Sequence, residues 1–284
     1  MATILVTGVG GPAGQSLARQ LIERGYRVVG TDMRRIAMPG VIVHRAPAAS
    51  DPVFIETLRA LTAESNADLV IPTVSEELPI LAREKDWPAP MALAPREGVL
   101  LANDKWLTWR RLSECGVAVP RAMLPSSIQS ADHVAQTIGW PCLAKPRVGR
   151  GGRHVTLYQE PEFDALCALD DRFILQEFIP GAEYAPNVYI RRSGPDIVVP
   201  LRKTALKQGM IGNAVSVVYE DAPDVAALAC AAAHALGLAG ALDIDIRQRN
   251  DGVPVVLEVN ARFGANSAYA PEVLSALLEE IGLQ

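Results

Sequence analysis

The 284-residue chain is poor in aromatic residues (5%), has only four cysteines and four histidines, and shows no positive excess, with 27 Lys and Arg against 32 Asp and Glu. Each scarcity removes a class of protein. Cys115, Cys142, Cys167 and Cys230 stand 27, 25 and 63 residues apart without a C-x-x-C pair, which excludes a disulfide framework and a zinc ribbon and reads as reduced, mostly buried thiols of a cytoplasmic protein. The charges are interspersed and net −5, so no basic stripe is offered to a polyanion and nucleic acid is not an expected partner. No run is apolar enough for a membrane span: Val225 to Leu242 is built on alanine, holds His234 and is broken by Gly237 and Gly240, as befits a buried helix followed by a strand. The opening MATILVTG lacks a cationic segment and its apolar run stops at Gly8, so it reads as a strand and not as a signal peptide. His44, His133, His154 and His234 lie in unrelated contexts, with His234 read as a satisfied core residue, and no Ser-His-Asp or Cys-His arrangement is evident.

What remains, 49% hydrophobic and 21% charged over this length, is an ordinary globular chain with room for two or three small domains. Short apolar runs at Thr3 to Thr7, Arg27 to Thr31, Val41 to His44, Asp68 to Ile71 and Met91 to Ala94 alternate with helix-length segments at Gln15 to Arg24 and Pro52 to Glu64, the latter capped by Asp51. That alternation predicts a parallel sheet covered by helices, an α/β arrangement. After Pro95 the texture changes: a helix over Asp104 to Cys115 stopped by Gly116, a proline-containing connector, then strands at Cys142 to Lys145, His154 to Tyr158 and Phe173 to Phe178, with a helical pattern at Glu160 to Leu169.

TGVGGPAG, Thr7 to Gly14, follows a predicted strand and opens a helix, and Asp32 ends the next strand. This approaches the dinucleotide-binding fingerprint, in which Gly8, Gly11 and Gly14 let the backbone meet a pyrophosphate and Asp32 accepts from a ribose hydroxyl. An NAD-dependent oxidoreductase or epimerase is therefore one reading. Against it, none of the six tyrosines has a lysine four residues on, the pair that short-chain reductases use for proton transfer.

The segment GALDIDIRQRNDGVPVVLEVNAR is the most informative. Taking Asp251-Gly252 as a two-residue hairpin loop and counting outward places Asp245 opposite Glu258 and Asp243 opposite Asn260. Period-two alternation sets these four on one face and Ile244, Ile246, Leu257 and Val259 on the other. Opposed carboxylates about 5 Å apart repel unless a cation neutralises them, and carboxylates with an amide oxygen are hard ligands suited to Mg²⁺. Upstream, CLAKPRVGRGGRHV puts Lys145 at the end of a strand and follows it with a loop holding Gly149, Gly151 and Gly152 beside Arg150 and Arg153, an arrangement able to close over a polyphosphate. FILQEFIPGAEY adds a strand that bends at Pro180-Gly181 and presents backbone groups to a purine edge, with Glu183 placed to accept from ribose.

The order of NDKWLTWRRLSECGVAVP, CLAKPRVGRGGRHV, ILQEFIPGAEY and LDIDI…GVPVVLEVNARFGAN resembles the ATP-grasp ligases, especially members akin to the large chain of carbamoyl phosphate synthase. The most specific element is the thirteen-residue step from Asp245 to Glu258 with its E-x-N-x-R ending. The resemblance implies a Rossmann-like pre-ATP-grasp domain over 1–95, a connecting helix over 96–119, a lid lobe over 120–182 and a large lobe with the metal site over 183–284. It implies that Lys105 and Lys145 contact nucleotide phosphates under a flap from Arg147 to Arg153 that includes Gly149, Arg150, Gly151 and Gly152. Gln176, Glu177, Phe178 and Ile179 match the adenine hinge, Glu183 the ribose carboxylate and Leu257 the apolar face under the base. Asp245, Glu258 and Asn260 match ligands of one or two Mg²⁺ ions, or Mn²⁺, and Arg262 the cation near the transferred phosphoryl group.

Two departures are visible: Gln176 stands where an acid is common, and Asp243 where some relatives carry a basic residue. The chain also ends 24 residues after Asn260, so a second synthetase half is not expected and carbamoyl phosphate synthesis itself is disfavoured. The implied activity is an ATP-dependent carboxylate-amine or carboxylate-thiol ligation through an acyl phosphate, with a non-catalytic ATP-binding module as a further alternative. Expected partners are small-molecule carboxylate and amine substrates, and a homodimer is compatible. On this reading the N-terminal glycine turn walls the substrate site without binding NAD, and Gly10, Gly11, Thr73, Ser75, Glu76, Lys203, Asp243 and Asn266 are its substrate-side residues; Glu76 and Glu77 read equally well as a solvated helix start.

Overall fold

The computed structural model describes residues 1–149, 151–208 and 211–283. In chain order, β1 (Thr3–Thr7), α1 (Pro12–Glu23), β2 (Arg27–Asp32), β3 (Val41–Arg45), α2 (Phe54–Glu64) and β4 (Leu69–Ile71) form a parallel sheet of order β3-β2-β1-β4. Then α3 (Leu78–Leu81), α4 (Arg96–Asn103) and α5 (Lys105–Glu114) lead into β5 (Ala122–Met123), α6 (Ala131–Thr137), β6 (Cys142–Pro146), β7 (Thr156–Tyr158), α7 (Phe163–Cys167) and β8 (Phe173–Glu177). These strands make an antiparallel sheet of order β5-β8-β6-β7. The rest is β9 (Glu183–Tyr184), β10 (Asn187–Ile190), β11 (Ile197–Val199), β12 (Leu201–Gln208), β13 (Ile211–Tyr219), α8 (Pro223–Ala235), β14 (Gly240–Gln248), β15 (Pro254–Asn260) and α9 (Pro271–Ile281). Here β14 pairs with β15 along one edge and with β10 and then β9 along the other, in a seven-stranded sheet.

The α/β class expected from the alternation holds. Residues 91–94 do not form a strand; flanked by Pro90 and Pro95, which lack an N–H to donate, they reach β4 only through a bridge between Val70 and Met91. The parallel sheet shares its core with the end of the chain: Leu17, Ala18 and Leu21 of α1 pack in one cluster with Val273, Leu274 and Leu277 of α9. Each fully buried leucine there stabilises by about 2 kcal/mol. Helix α8 buries Val225, Ala229, Ala232 and Ala233 against the large sheet, where alanine lets helix and strands approach closely. No helix among the described residues is long and apolar enough to cross a membrane.

Three expectations need correction. Of the free cysteines only Cys142 is buried, while Cys115 and Cys167 are exposed, because they fall on the solvent ends of α5 and α7. His234 lies on the outer face of α8, 2.7 Å from Asp196, and is not a core residue. The β14–β15 loop has three residues, not two: the Arg249 amide donates to the Val253 carbonyl (2.9 Å), and Gly252 closes the turn with φ of 84°. That would slip the register by one, but a bulge between the Asp245–Glu258 and Ile246–Val256 pairs absorbs the extra residue. Beyond the bulge Asp245 faces Glu258 and Asp243 faces Asn260, as counted.

Candidate active site

A cleft of about 480 Å³ opens where the three sheets meet. The loops after β1 and β4 supply Gly8, Gly11 and Thr73; the small antiparallel sheet and its glycine loop supply Lys145, Gly149, Gly151, Gly152 and Arg153; the large sheet supplies the floor. Lys105 enters from the start of α5, and Arg262 and Asn266 from the turn after β15. Gly10 and Glu76 do not line it: the Gly10 amide is turned to Asp32 and Glu76 is exposed. Arg150 lies outside the described residues.

The floor is a chain of opposite charges. Arg247 reaches Glu183 at 2.6 Å, Lys203 bridges Glu183 and Asp245, and Glu258 meets Lys105 at 3.1 Å. The two carboxylates that the register opposes are thus each matched by an ammonium group. Burial works to discharge Lys203, but Asp245 and Glu183 hold its pKa well above the ordinary lysine value. Asp243 goes the other way: burial, then the Asp245 charge, push its pKa up to about 6 against the pull of Arg262 and Lys203. Arg262 donates to Ser75 Oγ (3.0 Å), the Phe263 carbonyl (2.8 Å) and Asn260 Oδ1 (3.2 Å), tying the loop after β4 to the end of β15. Asp245, Glu258 and Asn260 present only hard oxygen donors to one space, so the residues fit a divalent cation of the Mg²⁺ type.

The bulge also decides where Leu257 points. Strict alternation puts it on the face of Ile244 and Val259, but the extra residue re-aims it, and Leu257 lines the cleft beside Glu258.

Lys145 and Lys105 both reach the cleft. Lys145 Nζ donates to Gln176 Oε1 at 2.6 Å, and burial lowers its pKa to about 8 against the opposing Glu258 charge. Lys105 Nζ donates to the Gly149 carbonyl at 3.0 Å, which fastens the glycine loop to α5. Arg147 turns away from the cleft and grips Asp104, with Nη2 2.7 Å from Oδ2. Asp104 in turn caps α5 by accepting from the Trp106 and Leu107 amides. Burial opposes ionisation of Asp104, but these hydrogen bonds and the Arg147 charge hold its pKa below the usual carboxylate range. Arg147, which the resemblance puts at the start of the flap over the triphosphate, is therefore a clamp at the base of the loop. Asp104→Ala removes a cap and strands Arg147, an expected loss of about 2 kcal/mol measured by urea unfolding.

The hinge residues form the wall behind the cleft and none of Gln176, Glu177, Phe178 or Ile179 lines it. Glu177 Oε1 meets Arg249 at 2.5 Å and its Oε2 accepts from the Arg121 amide, while the Ile179 carbonyl accepts from Arg247 at 2.9 Å. Phe178 lies 5.9 Å from the Arg247 guanidinium. Gly181 seats the following turn on β14, its amide 3.1 Å from the Gln248 carbonyl.

The N-terminal glycine turn is explained without a dinucleotide. Asp32 Oδ2 accepts from the Gly10 amide (2.9 Å) and its Oδ1 from the Arg34 amide (2.9 Å), so the carboxylate awaiting a ribose is spent on the turn itself. Gly14 is required by packing, since a Cβ there would stand 2.4 Å from the Gly8 carbonyl oxygen. The oxidoreductase reading is not favoured. Glu77, read from the sequence as part of a solvated helix start, is buried: its Oε2 accepts from Thr7 Oγ1 at 2.5 Å, and Thr7 Oγ1 accepts from the Thr73 amide, bracing the cleft-lining loop.

Residues 102–266, more than half of the chain, match the family described as ATP-grasp domain. The chain belongs to the ATP-grasp family. The carbamoyl phosphate synthase large chain of Pseudomonas syringae pv. tomato is 25% identical over 170 residues, a match covering 55% of this chain and 15% of that protein. The match thus spans about 15% of the length of the curated relatives. Among solved structures, the L-amino acid ligase of Bacillus licheniformis superposes with a TM-score of 0.74 at 18% identity, covering 96% of this chain and 70% of that one. The ADP-complexed N5-carboxyaminoimidazole synthetase of Staphylococcus aureus gives 0.75 at 16%, covering 100% and 78%. These two likenesses cover the parallel sheet as well as residues 102–266 and show a shared fold.

Proposed function

We propose that this ATP-grasp chain is an ADP-forming ligase that activates a small carboxylic acid as an acyl phosphate and passes the acyl group to an amine or thiol. The observation that carries the reading is the juxtaposition of Asp245, Glu258 and Asn260 with Lys105 and Lys145 in one cleft. A substrate carboxylate oxygen attacks the γ-phosphorus, the bond to the β-phosphate oxygen breaks and ADP leaves; the nucleophile then displaces phosphate. Lys105 and Lys145 bind phosphate oxygens, Arg262 holds the acid against the transferred group, and the loop over 147–153 excludes water from the acyl phosphate. Asp245, Glu258 and Asn260 would hold one or two Mg²⁺ ions, or Mn²⁺, whose charge would neutralise the phosphates.

The adenine lies toward the hinge at 176–179 over Leu257, with the ribose toward Glu183; the Glu183 pairs to Lys203 and Arg247 rearrange to admit it. The working division is a pre-ATP-grasp unit over 1–95, a connector over 96–119, a lid over 120–182 and a large lobe over 183–284, in a cytoplasmic enzyme able to form a homodimer. The two structural neighbours are an L-amino acid ligase and an N5-carboxyaminoimidazole synthetase, which supports the reaction class. The test is phosphate release across a panel of carboxylates with and without added amines. ADP formation that depends on a carboxylate is expected; MgADP binding with no carboxylate-dependent turnover would reduce the chain to a binding module.

A further inference from the structure

Each candidate metal ligand in the cleft is already held by a cation of the chain itself. Lys203 Nζ is 2.5 Å from Asp245 Oδ1, Lys105 Nζ is 3.1 Å from Glu258 Oε1, and Arg262 donates to Asn260 Oδ1 at 3.2 Å. The three cations come from separate places: β12, the start of α5 and the turn after β15. They are not loose surface pairs, since the side chains of Lys203, Lys105 and Arg262 are only 6%, 10% and 13% exposed. At that depth an ion pair is poorly screened, and separating it leaves an uncompensated charge out of water.

Lys203 is the most firmly held. In the sheet order β14-β9-β12 it reaches across β9, where it also meets Glu183 Oε1 at 2.5 Å. One ammonium group thus joins a candidate metal ligand to the carboxylate assigned to ribose, and a divalent ion taking Asp245 would have to displace that ammonium and stand beside it. The rest of the lining raises the cost. Lys105, Lys145, Arg153, Lys203, Arg247 and Arg262 outnumber the four carboxylates among the described residues, so the empty cleft is net positive and repels a free divalent cation. A nucleotide removes each obstacle: its phosphates outweigh the positive excess and compete with Glu258 for Lys105, while its ribose competes with Lys203 for Glu183.

We propose that Lys203 is a resident counter-cation that bars a divalent metal from Asp245 until a nucleotide is bound, with Lys105 and Arg262 acting likewise at Glu258 and Asn260. The proposal rests on the metal-ligand assignment within the ligase reading and not on which acid is activated. It makes the two ligands mutually dependent, since a nucleotide that draws the cations away raises the affinity for metal, and metal must then raise the affinity for nucleotide by the same factor.

The test measures Mn²⁺ binding to the full chain without nucleotide, through the electron paramagnetic resonance signal of the free ion. K203M, whose Asp245 is left bare, is expected to bind at least tenfold more tightly than wild type. K203R keeps the charge and should bind as weakly as wild type, which a merely space-filling role for the side chain would not require. Adding D245N to K203M should abolish the gain, which places the ion at Asp245. K105M, which frees Glu258, should also gain affinity, and it decides the matter if K203M does not fold. Wild type binding Mn²⁺ as tightly as K203M and K105M, or K203R binding as tightly as K203M, would overturn the proposal. The ligase is judged separately, by carboxylate-dependent ADP formation in wild type. Such turnover with equal Mn²⁺ binding in wild type and K203M retains the ligase and removes the counter-cation. Tighter binding in K203M without any such turnover in wild type retains the counter-cation and removes the ligase.

Discussion

Glu258→Gln is expected to lower ATP-dependent turnover by at least about 10³-fold, equivalent to about 4 kcal/mol of transition-state stabilisation, with the fold intact. Glu258 is the carboxylate at which two demands meet: it stands opposite Asp245 across the β14–β15 ladder and it receives Lys105 at 3.1 Å. The amide preserves shape and one oxygen but removes the charge that a hard divalent cation needs and that orients the Lys105 ammonium. Stability should move little, because the loss of the Lys105 pair is offset by relief of repulsion from Asp245, and Lys105 keeps its bond to the Gly149 carbonyl. Thermal unfolding within a few degrees of wild type together with lost ADP formation is the expected result. Full activity would remove Glu258 from the metal site, and with it the strongest support for the ligase.

The legible part of this site is the part governed by local periodicity. Asp243, Asp245, Glu258 and Asn260 were placed on one face from alternation alone, although the assumed two-residue loop was wrong. The three-residue turn ending at Gly252 and the bulge at Leu257 shift the register in opposite senses and cancel. The same bulge could not be read from the sequence, so alternation assigned Leu257 to the wrong face, and only the family resemblance put it under the nucleotide. Side-chain pairing over long sequence distance was illegible for a different reason. Arg147 and Asp104 are 43 residues apart, and Glu77 reaches Thr7 across 70; nothing in either segment announces a partner that only the sheet topology brings within reach. The glycine turn at 8–14 shows the converse, a motif legible in outline and ambiguous in meaning. Its glycines answer close packing against β1 and its acid answers the turn's own amides, a need shared by any tight strand-to-helix connection in a parallel sheet.

Lys145→Met is the second large effect, an expected loss of about 10²- to 10³-fold in kcat/KM through removal of one preorganised phosphate donor. The methionine keeps the apolar stem but leaves Gln176 Oε1 without its donor, so a modest fall in Tm should accompany it. Protons separate this role from a structural one. Burial sets the Lys145 pKa at about 8 against an ordinary 10.5. Between those values the unfolded chain holds a proton that the folded chain has released, so this residue makes folding stability rise with pH through that window; below it the ammonium is retained at a desolvation cost. A triphosphate beside the amine favours the charged form and raises the pKa again. Near pH 8, where the free site is about half protonated, nucleotide binding should therefore take up about half a proton at this position. Titration calorimetry of ATP with Mg²⁺ at pH 8, in two buffers of different ionisation enthalpy, should show that uptake in wild type and its loss in Lys145→Met. If the uptake is the same in both proteins, Lys145 does not meet the phosphates, and its bond to Gln176 is a feature of the small antiparallel sheet alone.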